Sequence, residues 1–265
     1  AVDKFIATTM LSACAGICAL RQGEWLHSVV ETNNIKIDSK LASSIIDMYC
    51  KCGCLGKAVG VFEQLPRKTL STWNSMIGGM AMFGEGHAAV ALFDRMETEK
   101  ITPDSITFLN LVCACAHSGL VPKGREVFAH MTEVYAIEPT PEIIGCMVDL
   151  LARAGLVKEA STLIDEYPSF ANVSLFGALA GANIHRGYTQ VGEQMALRAL
   201  ELEPNNSGRY SLLSNMYADA GRWQDAANVR KLMGVRSVTK TPGCSMIEID
   251  GTVTEFFSGG SGHPR

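Results

Sequence analysis

The sequence predicts an all-α fold, a right-handed α-solenoid of stacked helical hairpins that ends in a short β-hairpin. One pattern recurs along the 265-residue chain, and each copy carries a glycine between two helix-forming stretches. These glycines lie 31, 35, 36, 32 and 34 residues apart. Periods in this range are typical of repeat proteins in which each supersecondary unit packs only on its neighbours. The aligned glycines are Gly53, Gly84, Gly119, Gly155, Gly187 and Gly221.

Each repeat is predicted to contain two helices. In the helix after the glycine, apolar residues follow the i, i+3, i+4, i+7 spacing of a single stripe, as Ala58, Val61, Phe62 and Leu65 do. The first residue of each stripe is small, so we expect neighbouring helices to approach closely there. The helix before the glycine is expected to end at it, because glycine adopts the left-handed conformation at low cost. Proline or polar residues then separate the units.

Composition excludes several classes of protein. The 47% hydrophobic residues suffice for a core, but no apolar stretch reaches the roughly 18 residues of a membrane span. The net charge of −4 argues against attachment to nucleic acid through a basic surface. The nine cysteines lie within helical patterns, which is typical of buried thiols in a reducing compartment. Because Ala1 falls just before a repeat, we expect an excised fragment.

The repeats resemble a known family. The units SSIIDMYCKCGCLGKAVGVFEQLP, STWNSMIGGMAMFGEGHAAVALFDRMETEKITPD and SITFLNLVCACAHSGLVPKGREVFAHMTEVYAIEP differ in length, unlike the regular tetratricopeptide repeat. They resemble the S, P and L variants of the plant pentatricopeptide repeat. LFGALAGANIHRG and YSLLSNMYADAGRWQDAANVRKLM resemble the two E motifs that follow, and TPGCSMIEIDGTVTEFF resembles the segment that links E motifs to a deaminase domain. The chain is thus identified as resembling a PLS-class editing factor of the E/DYW subgroup without its deaminase domain.

This resemblance divides the whole chain into units. We expect an L-type repeat at 4–38, an S-type at 39–69, a P-type at 70–104, an L-type at 105–140, a terminal S-type at 141–172, tetratricopeptide-like E motifs at 173–206 and 207–240, and a PGCS-type segment with a β-hairpin and a flexible tail at 241–265.

The resemblance implies sequence-specific binding of single-stranded RNA in a chloroplast or mitochondrion, for C-to-U editing. In this family one repeat recognises one base through its fifth and its last residue. Asn74 with Asp104 resembles a uridine reader, and Thr8 with Asp38 resembles a guanine reader. Short polar side chains suit this role, because they offer donors and acceptors to the exposed edge of an unpaired base. The alternative for Asn74 is a solvated or N-capping side chain at a helix start.

Three further pairs occupy the same positions. Ser43 with Thr69 is an uncommon combination without a stated base preference. In the pair Leu109 with Thr140, the leucine offers only van der Waals contact, so this repeat is expected to act as a spacer. Gly145 with Asn172 is at most a weak reader. With so few clear readers, we expect weak RNA affinity for this chain alone.

We expect no enzymatic activity and no cofactor. The zinc deaminases of this family need a His-x-Glu and a Cys-x-x-Cys pair, and neither pattern occurs in the sequence. Cys50, Cys52 and Cys54 are spaced two apart, which points helical side chains away from each other and suits a shared zinc ion poorly. His27 replaces the aromatic residue of one apolar stripe, and a packed, partly buried side chain is expected there.

The resemblance assigns the E motifs to protein contacts. The implied partners are a DYW-type cytidine deaminase domain, in cis or in trans, and editing factors of the MORF/RIP type. After the E motifs, the alternation from Met246 to Phe257 around Asp250 and Gly251 predicts a β-hairpin. We expect no association with membranes.

Two other functions stay open. A protein-interaction scaffold with a tetratricopeptide-like groove is one, and a factor for organellar RNA stabilisation or splicing is the other. We also predict concentration-dependent self-association through the N-terminal hairpin, with Leu11, Leu26 and Val30 on the exposed apolar face.

Overall fold

The computed structural model describes residues 2–170, 172–184, 190–240, 243–249 and 252–258. The chain forms two compact units, residues 1–171 and 172–265. The first unit contains ten α-helices in its described residues: α1 Lys4–Gly16, α2 Leu20–Thr32, α3 Ser39–Lys51, α4 Leu55–Gln64, α5 Leu70–Met82, α6 Gly86–Thr98, α7 Ser105–Ser118, α8 Val121–Ala129, α9 Pro141–Arg153 and α10 Val157–Glu166. A π-helical turn at His130–Val134 extends α8, and a 3₁₀ turn at Pro168–Phe170 follows α10.

Stacked hairpins build the first unit. Helix α1 packs on α3, α3 on α5, α5 on α7 and α7 on α9, while each even-numbered helix packs against the odd-numbered helix before it. We call α1, α3, α5, α7 and α9 the first-helix row. Side chains such as Ile45, Met76 and Leu111 are fully buried in one core that runs along this row. The all-α prediction of stacked helical hairpins is confirmed.

The repeated glycines end the odd-numbered helices, as expected. Gly53, Gly84, Gly119, Gly155 and Gly221 have φ angles of +81°, +70°, +67°, +82° and +72°, which side chains with a Cβ adopt only at a cost. Gly187 lies outside the described residues.

Close helix approach at the small stripe residues is also confirmed. A Cβ on Gly23 would collide with the side chain of Met48, and one on Gly124 with that of Leu150. Both glycines begin the apolar stripe of an even-numbered helix, and both partners lie on the following odd-numbered helix. The absence of a side chain therefore sets how closely these helices pack.

The prediction for the N-terminal apolar face is wrong in its residues. Leu11, Leu26 and Val30 are at most 1% exposed and belong to the core. Periodicity alone identified them as apolar, but their stripe faces the neighbouring helices of this unit. The exposed apolar residues of the first hairpin are Phe5, Ile6, Met10, Ile17 and Trp25.

Ion pairs join successive even-numbered helices. Arg95 of α6 binds Glu63 of α4 through two hydrogen bonds of 2.6 and 2.8 Å. Arg125 of α8 binds Glu159 of α10 in the same forked way, at 2.9 and 2.6 Å. Lys57 of α4 pairs with Glu24 of α2. These pairs are partly exposed, so solvent screens them and each contributes little to stability.

The second unit contains four helices and a β-hairpin in its described residues: α11 Val173–Ile184, α12 Gln190–Leu202, α13 Ser207–Asp219, α14 Trp223–Val235, β1 Cys244–Ile249 and β2 Thr252–Phe257. Tyr210 and Leu213 are each 1% exposed in its core. The strands pair antiparallel, with Ile249 opposite Thr252. The predicted hairpin is thus confirmed, while its turn residues 250 and 251 and the tail from 259 lie outside the described residues.

In the parts of the chain that the structure describes, no helix combines the length and apolar character that crossing a bilayer requires.

Candidate functional site

The proposed base-contacting residues occupy two kinds of position. Fifth residues of the units lie in the second turn of a first-row helix, and last residues of the units come directly before the next odd-numbered helix. The fifth residues are Thr8, Ser43 and Asn74, and the last residues are Asp38, Thr69, Asp104 and Asn172. All seven lie within the described residues.

Asn74 and Asp104, the fifth and the last residue of unit 70–104, are brought together by a hydrogen bond. The amide nitrogen Nδ2 of Asn74 donates to Oδ1 of Asp104 at 3.0 Å. Because a carboxylate can only accept hydrogen bonds, this contact fixes which end of the amide faces Asp104. The fifth residue of one repeat and its last residue therefore form a single polar pair.

Thr107 holds this pair in place. Its hydroxyl donates to Oδ1 of Asn74 at 2.6 Å and accepts from the backbone N–H of Asp104 at 3.1 Å. Asn110 adds a bond from its Nδ2 to the backbone carbonyl of Asn74 at 2.9 Å. One Nδ2 proton of Asn74 is left for a ligand, because within the described residues only the other forms a hydrogen bond.

Thr107 and Asn110 are functional candidates that the sequence reasoning missed. The signal for Thr107 is the spacing Asp104-x-x-Thr107 at a helix start, which is the capping-box pattern with threonine in the third position. No comparable local signal exists for Asn110, because its partner lies 36 residues away.

Asp104 is the helix cap at this site, and Asn74 is not. The Asp104 carboxylate accepts from the backbone N–H of Thr107 at 2.9 Å at the start of α7. Asn74 is inside α5 and only 9% exposed. The alternative of a solvated or N-capping Asn74 is therefore wrong.

The network also keeps Asp104 charged. Burial raises the pKa of the Asp104 carboxyl, but hydrogen bonds from the Thr107 backbone and the Asn74 amide outweigh it. The net result is a pKa below its ordinary value. An ionised acceptor therefore stays beside the Asn74 amide at neutral pH.

The Asn74–Asp104 pair borders an open pocket of about 380 Å³. Ser71, Ser75, Ile106 and Asn110 also line it, along with Leu70. Two walls of the pocket come from α5 and the start of α7, so it lies between consecutive helices of the first-helix row. A planar group placed here would meet polar edges and one exposed aliphatic side chain, Ile106.

Thr8 and Asp38 are arranged differently from Asn74 and Asp104. Thr8 donates its hydroxyl to the carbonyl of Lys4 at 2.7 Å, and the Nζ of Lys4 donates to Asp38 at 3.1 Å. Asp38 caps α3 by accepting from the N–H of Leu41, and this bond with that from Lys4 lowers the pKa of Asp38. Lys4 thus connects the two positions, and no direct hydrogen bond joins them.

Ser43 and Thr69 are not bonded to each other either. The hydroxyl of Ser43 lies 2.8 Å from that of Ser71 on α5. The Oγ1 atom of Thr69 is buried and has no hydrogen-bond partner among the described residues. This unit therefore lacks the fixed polar pair seen at Asn74.

The remaining unit-end residues act as helix caps. Thr140 accepts from the N–H of Ile143 at 3.4 Å, and Asn172 accepts from the N–H of Leu175 at 3.1 Å. Their unit partners Leu109 and Gly145 offer no polar side-chain atom. Capping accounts for the polarity of Thr140 and Asn172 without a ligand.

The equivalent fifth position of the first E motif is filled by protein. A Cβ built on Gly177 would lie 2.7 Å from Nη1 of Arg209. Arg209 is held there by Glu203, at 2.9 Å. A base cannot occupy this position while the guanidinium covers it.

Some thiols and histidines are packed side chains, whereas Cys18, Cys244, His87 and His117 are exposed, so the expectation of buried thiols holds only in part. Burial raises the pKa of Cys50 to about 12 and that of Cys115 to about 11. His27 is partly buried beside Tyr49, with Nδ1 3.0 Å from the phenol oxygen, and burial lowers the pKa of His27. Within the described residues, no three His, Cys, Asp or Glu side chains are grouped as metal ligands.

Comparison with known families locates repeats in the first unit and a different motif in the second. The model of the PPR repeat family matches residues 68–117, the PPR repeat model matches 42–70 and 106–134, and the E motif model matches 188–248. The chain belongs to the pentatricopeptide repeat family. Its repeats followed by an E motif fit the PLS class of pentatricopeptide repeat proteins.

Plant relatives agree with this assignment. The pentatricopeptide repeat-containing protein At5g48910 of Arabidopsis thaliana is 40% identical over 97% of this chain and 40% of its own length. Two others from the same plant are named chloroplastic and mitochondrial. The first, At1g08070, is 42% identical over 97% of this chain and 35% of its own length. The second, At2g22410, is 39% identical over 96% of this chain and 37% of its own length. The chain therefore spans 40% or less of the length of these relatives.

Solved structures show the same fold. The pentatricopeptide repeat protein PPR10 from maize superposes with a TM-score of 0.67 at 18% identity, over 91% of this chain and 36% of that one. A second structure of PPR10, in complex with an 18-nt psaJ RNA element, superposes with a TM-score of 0.59 over 91% of this chain and 35% of that one.

Proposed function

We propose that this chain is a sequence-specific adaptor that binds single-stranded RNA for C-to-U editing in a chloroplast or mitochondrion. Its repeats recognise bases, and its E motifs recruit or position a cytidine deaminase, in cis or in trans, together with MORF/RIP-type factors. Chemistry comes from that deaminase, because the printed sequence carries neither the His-x-Glu nor the Cys-x-x-Cys pair.

The Asn74–Asp104 pair is the observation that carries this proposal. It combines an amide with a free proton and an ionised carboxylate at the edge of an open pocket. The pairing edge of uracil presents carbonyl acceptors beside an N–H donor, so an amide can satisfy it. The complex of PPR10 with an 18-nt RNA element supports RNA as the ligand.

Base preference at one RNA position tests the proposal. We expect Asn74→Thr to shift preference from uridine towards a purine, because a hydroxyl replaces the amide at the pocket. The measurement is fluorescence anisotropy at micromolar protein, with RNAs that differ in one nucleotide. Ser75→Thr, a change in the same pocket beside Asn74, is the matched control and should leave the preference unchanged. Unaltered selectivity of Asn74→Thr would count against base recognition by this pair.

Editing is tested separately from binding. A DYW-type deaminase domain is supplied in trans with an RNA that carries a cytidine downstream of the bound segment. Conversion to uridine is expected only when chain and deaminase are both present. Conversion by the deaminase alone at the same rate would remove the adaptor role while leaving RNA binding intact.

A further inference from the structure

The second E motif contains an uncompensated basic stretch. Between Asp225 and Glu248 the sequence has no acidic residue, although the whole chain carries a net charge of −4. The basic residues of this stretch are Arg230, Lys231, Arg236 and Lys240. Two of them, Arg230 and Lys240, line a recessed pocket of about 310 Å³.

This pocket lies between α13 and α14, and no carboxylate is among the described residues that line it. Neutral polar groups come from Ser211, Ser214 and Asn215 of α13. Met233 of α14 and Tyr210 supply apolar surface. A wall of cations, hydroxyls and an amide offers mainly hydrogen-bond donors, which favours an anionic ligand.

Neutral partners fix the two arginines. Nε of Arg230 donates to the hydroxyl of Ser214 at 2.9 Å, and Ser214 is only 1% exposed. Nη1 of Arg236 donates to the phenol oxygen of Tyr210 at 3.0 Å. The guanidinium groups are thus oriented by the protein while their charge stays unbalanced.

Two other arginines of this unit are neutralised by carboxylates. Arg209 pairs with Glu203 at 2.9 Å, and Arg222 with Glu193 and Asp225. Among the described residues, by contrast, Arg230, Arg236 and Lys240 form no ion pair. Arg230 and Lys240 therefore bring positive charge without a paired carboxylate to the wall of the pocket.

We propose that this pocket binds a carboxylate side chain of an acidic peptide segment from a partner protein. The fork of Arg230 matches the two oxygens of a carboxylate, and Met233 can pack against the aliphatic part of a glutamate. Single-stranded nucleic acid is less suited, because such sites stack bases on exposed aromatic rings. Among the described residues, Tyr210 is the one aromatic residue that lines this pocket, and it is 1% exposed.

The proposal deepens the suggested docking role of the E motifs and rests on it for the partner's identity. The pocket and its ligand chemistry are independent of base recognition, because every residue involved lies in the second unit. Failure of one proposal therefore leaves the other testable.

Fluorescein-labelled hexaglutamate is the probe, with hexaglutamine as its uncharged counterpart. We expect Arg230→Gln and Lys240→Gln each to weaken hexaglutamate binding by about tenfold, since each removes a charged hydrogen-bond donor. Lys231→Gln is the matched control, because it removes the same charge from a neighbouring residue that does not line the pocket. It should change binding less than about twofold. Lys240→Gln also breaks no hydrogen bond that the structure records, so circular dichroism should show an unchanged fold.

Three results would overturn the proposal. Equal weakening by all three variants would indicate a general electrostatic field rather than a pocket. Equal binding of hexaglutamine would remove the role of charge. Displacement of hexaglutamate by a uridine dodecamer at a lower concentration than by unlabelled hexaglutamate would make the pocket a nucleic-acid site. RNA binding is measured on the same variants, and it should be unchanged if the first unit binds RNA independently.

Discussion

The hydroxyl of Thr107 holds two groups of the candidate site at once. It accepts from the N–H of Asp104 and donates to Oδ1 of Asn74, and the residue is fully buried. Thr107→Val keeps the shape but leaves a backbone N–H without its partner and frees the amide of Asn74. We expect the free energy of unfolding to fall by about 2 kcal/mol, within the range of about 1 to 3 for an unsatisfied buried group.

Base selectivity should fall as well. One hydrogen bond contributes about 0.5 to 1.5 kcal/mol, which corresponds to a change of about 2- to 12-fold in a ratio of dissociation constants. Two RNAs that differ only in uridine or guanine at the position under unit 70–104 are compared by fluorescence anisotropy. Unfolding in urea, followed by circular dichroism, gives the stability change.

Thr72→Val separates the two effects. Thr72 is equally buried, its hydroxyl accepts from the N–H of Thr69 and donates to the carbonyl of Thr69, both at 2.9 Å, and no recorded hydrogen bond joins it to Asn74. We expect a similar loss of stability and no change in selectivity. If both variants change selectivity equally, or neither does, the positioning role of Thr107 is refuted.

Three further outcomes are expected. In urea unfolding, Gly86→Ala should destabilise the protein by about 1 to 3 kcal/mol, because the new Cβ would lie 2.8 Å from the Cβ of Ser118 on α7. Gly60→Ala is the control: its Cβ would have open space, so it should stabilise the protein by about 0.5 to 1 kcal/mol. Because the pKa of Asp104 is lowered in the folded state, its ionised carboxylate stabilises the fold above about pH 4, and this stabilisation is lost as pH falls through the folded-state pKa. The free energy of unfolding of Asp104→Asn should therefore fall less steeply at acid pH than that of the unmodified protein. Light scattering should show self-association that Trp25→Ser reduces, and a monomer at every concentration would contradict this.

Much of the fold could be predicted because its signals are local. A glycine such as Gly119 ends a helix through its own backbone conformation, and the alternation from Met246 to Phe257 produces its own strand pair. The placement of Asn74 in α5 and of Asp104 directly before α7 also follows from the repeat register. Local chemistry and repeat length together suffice for these features.

Other features depend on contacts that periodicity does not specify. Leu11 and Trp25 are both apolar, and only the packing of the first hairpin decides which one is buried. The capping role of Asp104 was present in the sequence as Asp-x-x-Thr, but its hydrogen bond with the Asn74 amide joins residues 30 positions apart. The basic pocket is likewise formed only when α13, α14 and Lys240 come together, so the sequence alone does not show where the basic residues meet.

The ion pairs between even-numbered helices affect how repeats could be exchanged. Arg95 finds its acid, Glu63, 32 residues earlier, and Arg125 finds Glu159 34 residues later. Each link therefore belongs to the junction of two units and not to either unit alone. If bases are recognised as proposed, a transplanted module would carry its nucleotide preference in its fifth and last residues. It would fit a new array only where the neighbouring even-numbered helix supplies the opposite charge.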